Sequence, residues 1–231
     1  MTKPQKLLLL IASSKLQGST SESLGTFLRD RLQELGLESE TLFLQKAFTS
    51  EAHTTRMLES VRQSDLLILA FPLYVDTLPA VLIRTLENIA DDPELKAASR
   101  KPRLVCISNC GFPESHHNDT ALAICRQFAL ATGLEWAGGL QLGAGEAISG
   151  RPLPAVKGLA RNAIKALRLS AEALAAGRPV PERARALMAK PLIPVWLYCL
   201  IGERRWRQDA KKHGVLHSLD ARPYGGDASK T

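Results

Sequence analysis

Asp65-Leu66-Leu67-Ile68-Leu69-Ala70-Phe71, closed by Pro72, is the stretch on which the reading of this chain turns. Every position after Asp65 is apolar, with none of the alternation that a strand wetted on one face would show. Such a run reads as a strand covered on both sides, as in a parallel sheet held between helices. Working outward, Lys6 to Ala12 repeats the pattern upstream, and Arg103 to Ser108 and Leu134 to Leu142 read as the fourth and fifth strands downstream. Glu38 to Leu44 is a weaker strand with Leu42 and Leu44 on one face. The segments between have helical spacing. Leu24, Phe27, Leu28, Leu32 and Leu35 follow Ser19 and stop at Gly36. A helix is expected from Thr54 to Arg62, and another is opened by Pro79 at its first turn, with Leu82, Ile83, Leu86 and Ile89 on one side. Asp119 to Thr132 is a helix capped by Gly133, and Pro154 to Ala176 is a long helix followed by Gly177. Strict βα alternation with right-handed crossovers leads to a doubly wound α/β fold, a five-stranded parallel sheet of order 2-1-3-4-5. In that order a ligand sits beyond the carboxyl ends of the strands, at the switch point above strands 1 and 3.

The bulk properties narrow the partners. Of the 231 residues 45% are hydrophobic, enough for a real core, whereas 5% are aromatic, too few for a base-stacking platform. Residues 1–150 carry 14 Lys and Arg against 17 Asp and Glu; residues 151–231 carry 16 against 6, so the net charge of +7 belongs to the C-terminal third. Cys106, Cys110, Cys125 and Cys199 form no CxxC pair and read as reduced thiols of a cytoplasmic protein. Lys3-Pro4-Gln5-Lys6 before Leu7 to Ala12 imitates a secretory signal, but the apolar run is brief and leads to a polar loop, so a buried strand is expected. Leu192 to Ile201 is too short to cross a bilayer and is interrupted by Pro194.

Three loops follow strands 1, 3 and 4. The first, Ser13-Ser14-Lys15-Leu16-Gln17-Gly18-Ser19-Thr20-Ser21, offers hydroxyls and backbone N–H groups at a helix N-terminus, a setting for an anion. It lacks GxxxxGK[ST] and GxGxxG, which leaves a monophosphate as the simplest guest; the plainer role for Ser19 or Thr20 is to cap the helix. In the second, Pro72-Leu73-Tyr74-Val75-Asp76-Thr77-Leu78-Pro79, two prolines hold Tyr74 beyond the strand, where its ring could pack on a flat ligand or rest on the core. The third runs from Asn109, Cys110, Gly111 and Phe112 to His116, His117 and Asn118. Gly111 permits close approach, and Asn109 can present a donor and an acceptor to a heterocycle edge. Adjacent histidines rarely face one site and no third ligand is suitably spaced, so no metal is expected.

These loops together resemble those of the flavodoxin-like NAD(P)H-dependent FMN oxidoreductases, a group of FMN reductases and multimeric flavodoxin relatives. In that group the first strand is followed by G-S-P-x-x-x-G-x-[ST], which wraps the FMN phosphate. Here Ser13, Gly18 and Thr20 match, while Ala12 replaces the first glycine and Ser14 the proline. Pro72, Tyr74, Pro79 and Leu82 match a P-x-Y-x-x-x-x-P-x-x-L element that borders the isoalloxazine ring, and Asn109 to Phe112 resembles the segment at its pyrimidine edge. The likeness spans about residues 6–176. It implies an FMN site built from Ser13, Ser14, Gly18, Ser19, Thr20, Pro72, Leu73, Tyr74, Val75, Asn109, Cys110, Gly111, Phe112 and His116. It also implies NADPH or NADH as co-substrate, a quinone or other small molecule as electron acceptor, and a homodimer. The cysteine cluster of the iron–sulfur relatives is absent. Because the cofactor supplies the reactivity, no catalytic acid or base is assigned; His116 and Tyr74 are the two candidates to test.

Residues 1–178 are expected to form the flavodoxin-like domain and residues 179–231 a basic, partly apolar helical extension. In the extension Trp196, Leu200, Ile201 and Trp206 neighbour Arg204, Arg205, Arg207, Lys211 and Lys212. It suits docking within the protein or its dimer, or a peripheral contact with an anionic membrane; no nucleic-acid partner is expected. Two other functions fit the same residues. One is a noncatalytic electron carrier, disfavoured by the basic charge because such carriers tend to be acidic. The other is a flavodoxin-like binding module that has lost FMN, which the altered first loop permits.

Overall fold

The computed structural model describes residues 3–15, 17–47, 50–156 and 158–221. Five strands, β1 (Lys6–Ile11), β2 (Glu38–Phe43), β3 (Leu66–Pro72), β4 (Arg103–Asn109) and β5 (Glu135–Leu142), form one parallel sheet in the order β2-β1-β3-β4-β5. This is the flavodoxin-like arrangement expected from the run at Leu66. Successive side chains leave a strand on opposite faces, so each strand feeds two cores. Leu7, Leu9, Ile11, Leu66, Ile68 and Ala70 pack with α1 (Thr20–Glu34) and α7 (Arg161–Ala175) through Leu24, Leu28, Leu32, Leu167 and Leu174. Leu8, Leu10, Leu67, Leu69 and Phe71 pack on the other face with α3 (Glu51–Gln63), α4 (Ala80–Asp91) and α6 (Asp119–Thr132) through Met57, Val61, Leu82, Leu86 and Cys125. Two short helices, α2 (Leu44–Ala47) and α5 (Pro93–Ala97), complete this layer.

Several elements differ from the sequence expectations. The third helix begins at Glu51 rather than Thr54, because the Ser50 hydroxyl accepts from the His53 N–H and starts it a turn early. Pro79 is the N-cap of α4, and Ile83 lies 40% exposed while Leu82, Leu86 and Ile89 are buried. The apolar stripe is therefore one residue narrower than its spacing suggested. Helix α7 starts at Arg161, not Pro154; Leu153–Val156 forms a 3-10 turn instead, in a segment that Pro152 and Pro154 deprive of two backbone donors.

The chain divides into two compact units, residues 1–192 and 193–231. The first reaches beyond residue 178, where the sequence placed the break, for a physical reason. The Val180 N–H donates to the Ala137 carbonyl of edge strand β5, and Val180, Ala184 and Met188 join the core, carrying α8 (Glu182–Met188) with them. The second unit holds α9 (Val195–Lys212) and a turn at Leu216–Ser218. Along α9 an apolar half with Trp196, Leu200 and Ile201 exposed precedes a basic half with Trp206 exposed. Residues 222–231 of the expected extension lie outside the described residues. Among the described residues no helix is long and apolar enough to cross a membrane.

Candidate functional site

Parallel register makes the site. Ile11 pairs with Ala70 and Pro72 with Asn109, so β1, β3 and β4 end at one edge and their loops emerge side by side. Loop one spans residues 12–19, loop two 73–79 and loop three 110–118; Leu16 lies outside the described residues. The Ser14 hydroxyl and the Tyr74 phenol lie 2.7 Å apart, which ties loop one to loop two. The Leu73 N–H donates to the Asn109 carbonyl at 2.8 Å, which ties loop two to the end of β4.

In loop one the Ser13 hydroxyl is buried and accepts from the Lys15 N–H. Ser19 is the N-cap of α1: its hydroxyl accepts from the Glu22 N–H at 3.1 Å. Reciprocally, the Glu22 carboxylate accepts from the Gly18 N–H at 2.7 Å and the Ser19 N–H at 3.5 Å, a complete capping box. The Thr20 hydroxyl donates to the Gly145 carbonyl at 2.7 Å. The plain capping role left open for Ser19 is thus the one it fills here.

In loop two Tyr74 and Thr77 exchange both backbone hydrogen bonds around a two-residue turn, Val75-Asp76, with φ of 45° and 59°. That turn normally takes Asn-Gly, and a β-branched residue at positive φ is strained. Val75 is 96% exposed, so no packing within the chain rewards the strain. Tyr74 lies half-open at the site edge.

In loop three the side chains part. Asn109 turns inward: its amide donates to the Ser21 hydroxyl at 2.8 Å and to the Phe71 carbonyl at 3.1 Å, so it clamps α1, β3 and β4 together. The Cys110 thiol also points in, toward the Phe112 and Glu114 carbonyls, and burial pushes it up from its ordinary pKa. Asn118, fully buried, accepts from the Ser108 hydroxyl and donates to the Ser115 carbonyl, pinning the loop's far end. Outward lie Gly111, with open space where a Cβ would stand, the exposed Phe112 ring, and His116. The Phe112 and His116 rings each sit against His117, at 4.5 and 4.7 Å. Among the described residues no three His, Cys, Asp or Glu side chains are grouped as a metal would need.

A fourth loop, residues 143–152 after β5, completes the rim and was not singled out from the sequence. Its Ala144 and Gly145 N–H groups donate to the Phe112 and Cys110 carbonyls, while Gly145 accepts from Thr20. Gly150, at φ +70°, lies against the Gly18 carbonyl so closely that a Cβ would overlap it. Loop four therefore braces both loop one and loop three. The signal for it is the run Gly143, Gly145, Gly150 directly after a strand, where close backbone approach excludes side chains.

The model of the NADPH-dependent FMN reductase family matches residues 6–118. No curated protein sequence matches the chain. Among solved structures, an FMN-dependent NADH-azoreductase from Bacillus anthracis str. Ames Ancestor, in complex with FMN, shares 16% identity over 74% of this chain and 100% of its own, with a TM-score of 0.55. The Trp repressor binding protein from Bacillus subtilis shares 15% over 70% of this chain and 98% of its own, TM-score 0.54. A flavone reductase shares 13% over 74% and 63%, TM-score 0.51. At such identities the likeness is one of fold.

Proposed function

We propose that this chain, whose residues 6–118 match the model of the NADPH-dependent FMN reductase family, is an FMN-dependent oxidoreductase. It would take hydride from NADH or NADPH and pass electrons to a quinone or another small acceptor. The observation that carries this reading is the meeting of loops one, two and three at one sheet edge, at the topological switch point. The FMN bound by the B. anthracis azoreductase of the same fold supports it.

The residues present suit a flavin ring. The open space over Gly111, the half-buried Pro72 and Leu73, the Tyr74 ring and the exposed Phe112 ring make an apolar, aromatic rim for a flat heterocycle. Ser13, Ser14, Gly18, Ser19 and Thr20 would hold the phosphate once Glu22 releases the Gly18 and Ser19 N–H groups. When bound, FMN supplies the hydride and electron chemistry. The chain's own part is to orient and shield. Pro72 and Pro79 stiffen loop two, Asn109 and Asn118 hold the strand ends in register, and the raised Cys110 thiol stays protonated and unreactive. His116 and Tyr74, both exposed at the rim, are the two groups to test for proton transfer. The reading extends to a cytoplasmic homodimer and to contact of α9 with an anionic membrane surface, tested by sedimentation and vesicle pelleting.

One observation favours a second reading, a binding module that has lost FMN: the phosphate loop is already satisfied by Glu22. A spectrum of the purified protein decides between them. Flavin absorption that bleaches with NADH or NADPH under anaerobic conditions is expected; a colourless protein that takes up no added FMN would leave the second reading.

A further inference from the structure

We infer that Glu22 is a built-in competitor for the flavin's phosphate, so that the site selects its ligand by the ring and exchanges FMN instead of retaining it. This rests on the flavin reading above and concerns which flavin the site prefers. An anion gains at a helix N-terminus from unpaired N–H groups and the helix dipole. At the entry to α1 two of these donors already serve an anion belonging to the chain, since the Gly18 and Ser19 N–H groups both point to the Glu22 carboxylate. The Glu22 N–H is taken by Ser19 and the Thr20 hydroxyl by the Gly145 carbonyl. A phosphate entering this loop must displace the carboxylate or lie beside a like charge, and either lowers its affinity.

Across residues 12–23 Lys15 is the one cation and Glu22 the one anion, so the loop has no surplus positive charge for a dianion. The Arg151 guanidinium on loop four is engaged by the Ile148 and Ala147 carbonyls at 3.0 and 2.6 Å. Loop four also closes the far side, with Gly150 against the Gly18 carbonyl, so the loop cannot widen there without breaking that contact. At the ring end of the site there is open space where a Cβ on Gly111 would stand. A ligand is therefore gripped at its ring and tolerated at its phosphate.

The test is titration of the full-length apoprotein with FMN and with riboflavin, read by flavin fluorescence, in the wild type, Glu22→Gln and Glu22→Ala. The wild type should bind the two flavins within about threefold of each other. Both variants should tighten FMN by about tenfold or more with riboflavin affinity unchanged, and FMN should dissociate correspondingly more slowly. Glu22→Gln keeps a capping side chain and removes only the charge, so it separates the electrostatic effect from any loosening of α1. A wild-type preference for FMN of about a hundredfold or more, or a preference unmoved in both variants, would overturn the inference while leaving the flavin reading intact. Binding of neither flavin by any of the three proteins would overturn the flavin reading, and this inference with it.

Discussion

Asn109→Ala should unfold this protein far more readily, although a site residue on a loop would ordinarily be spared. Asn109 is 6% exposed, and its amide donates to the Ser21 hydroxyl and the Phe71 carbonyl at 2.8 and 3.1 Å. Truncation leaves both acceptors without this donor inside the junction of α1, β3 and β4. An orphaned buried polar group costs about 1–3 kcal/mol, so the pair is worth about 3 kcal/mol in all, allowing for partial relaxation. With a urea m-value of about 2 kcal/mol/M, the unfolding midpoint should fall by about 1.5 M without change in slope. Asn109→Asp keeps the size, loses the donors and turns a carboxylate toward the Phe71 carbonyl, so it should be at least as damaging. Urea unfolding of flavin-free protein, followed by circular dichroism, is the assay. A midpoint shift below about 0.3 M for Asn109→Ala would refute the clamp. A large loss of flavin affinity with stability preserved would place the amide on the ligand instead.

Three further outcomes follow from the loops and from one ion pair. Gly150→Ala puts a Cβ onto the Gly18 carbonyl at positive φ, so loop four must withdraw. A melting temperature lower by about 5 °C or more is expected, and an unchanged one would contradict the packing. Replacing Val75-Asp76 by Asn-Gly fits the turn's φ angles and should gain about 1 kcal/mol, a rise of about 2–4 °C in melting temperature; a fall would show that the strain lies elsewhere. Asp92 is bonded by the Arg62 guanidinium and accepts from the Leu95 N–H, which hold its carboxyl below the ordinary value. A depressed folded pKa means that its contribution is whole above the unfolded-chain value and is lost as pH falls through the folded value. Asp92→Asn should therefore be less stable than wild type at neutral pH and converge with it in strong acid, as urea midpoints across pH will show; a gap of constant size would refute the linkage.

The elements of this fold are written locally. The unbroken runs at Leu7 and Leu66, short and followed by polar or proline loops, read as doubly covered strands, and the helical spacing between them leads to parallel crossovers of one hand. The doubly wound class and the carboxyl edge that gathers the loops follow from those facts, because they depend on periodicity and chirality and on no particular partner. Pairing of polar groups does not follow. Asn109 read equally well as a ligand-facing amide, and only the approach of Ser21, distant in sequence, turns it inward. Ser14 meets Tyr74 across 60 residues and Thr20 meets Gly145 across 125. Likewise Val180 and α8 extend the first unit because an edge strand offers them a carbonyl and an apolar shelf. Burial patterns are a property of a segment, whereas a hydrogen bond belongs to two segments and takes its direction from whichever partner the folded chain brings within 3 Å.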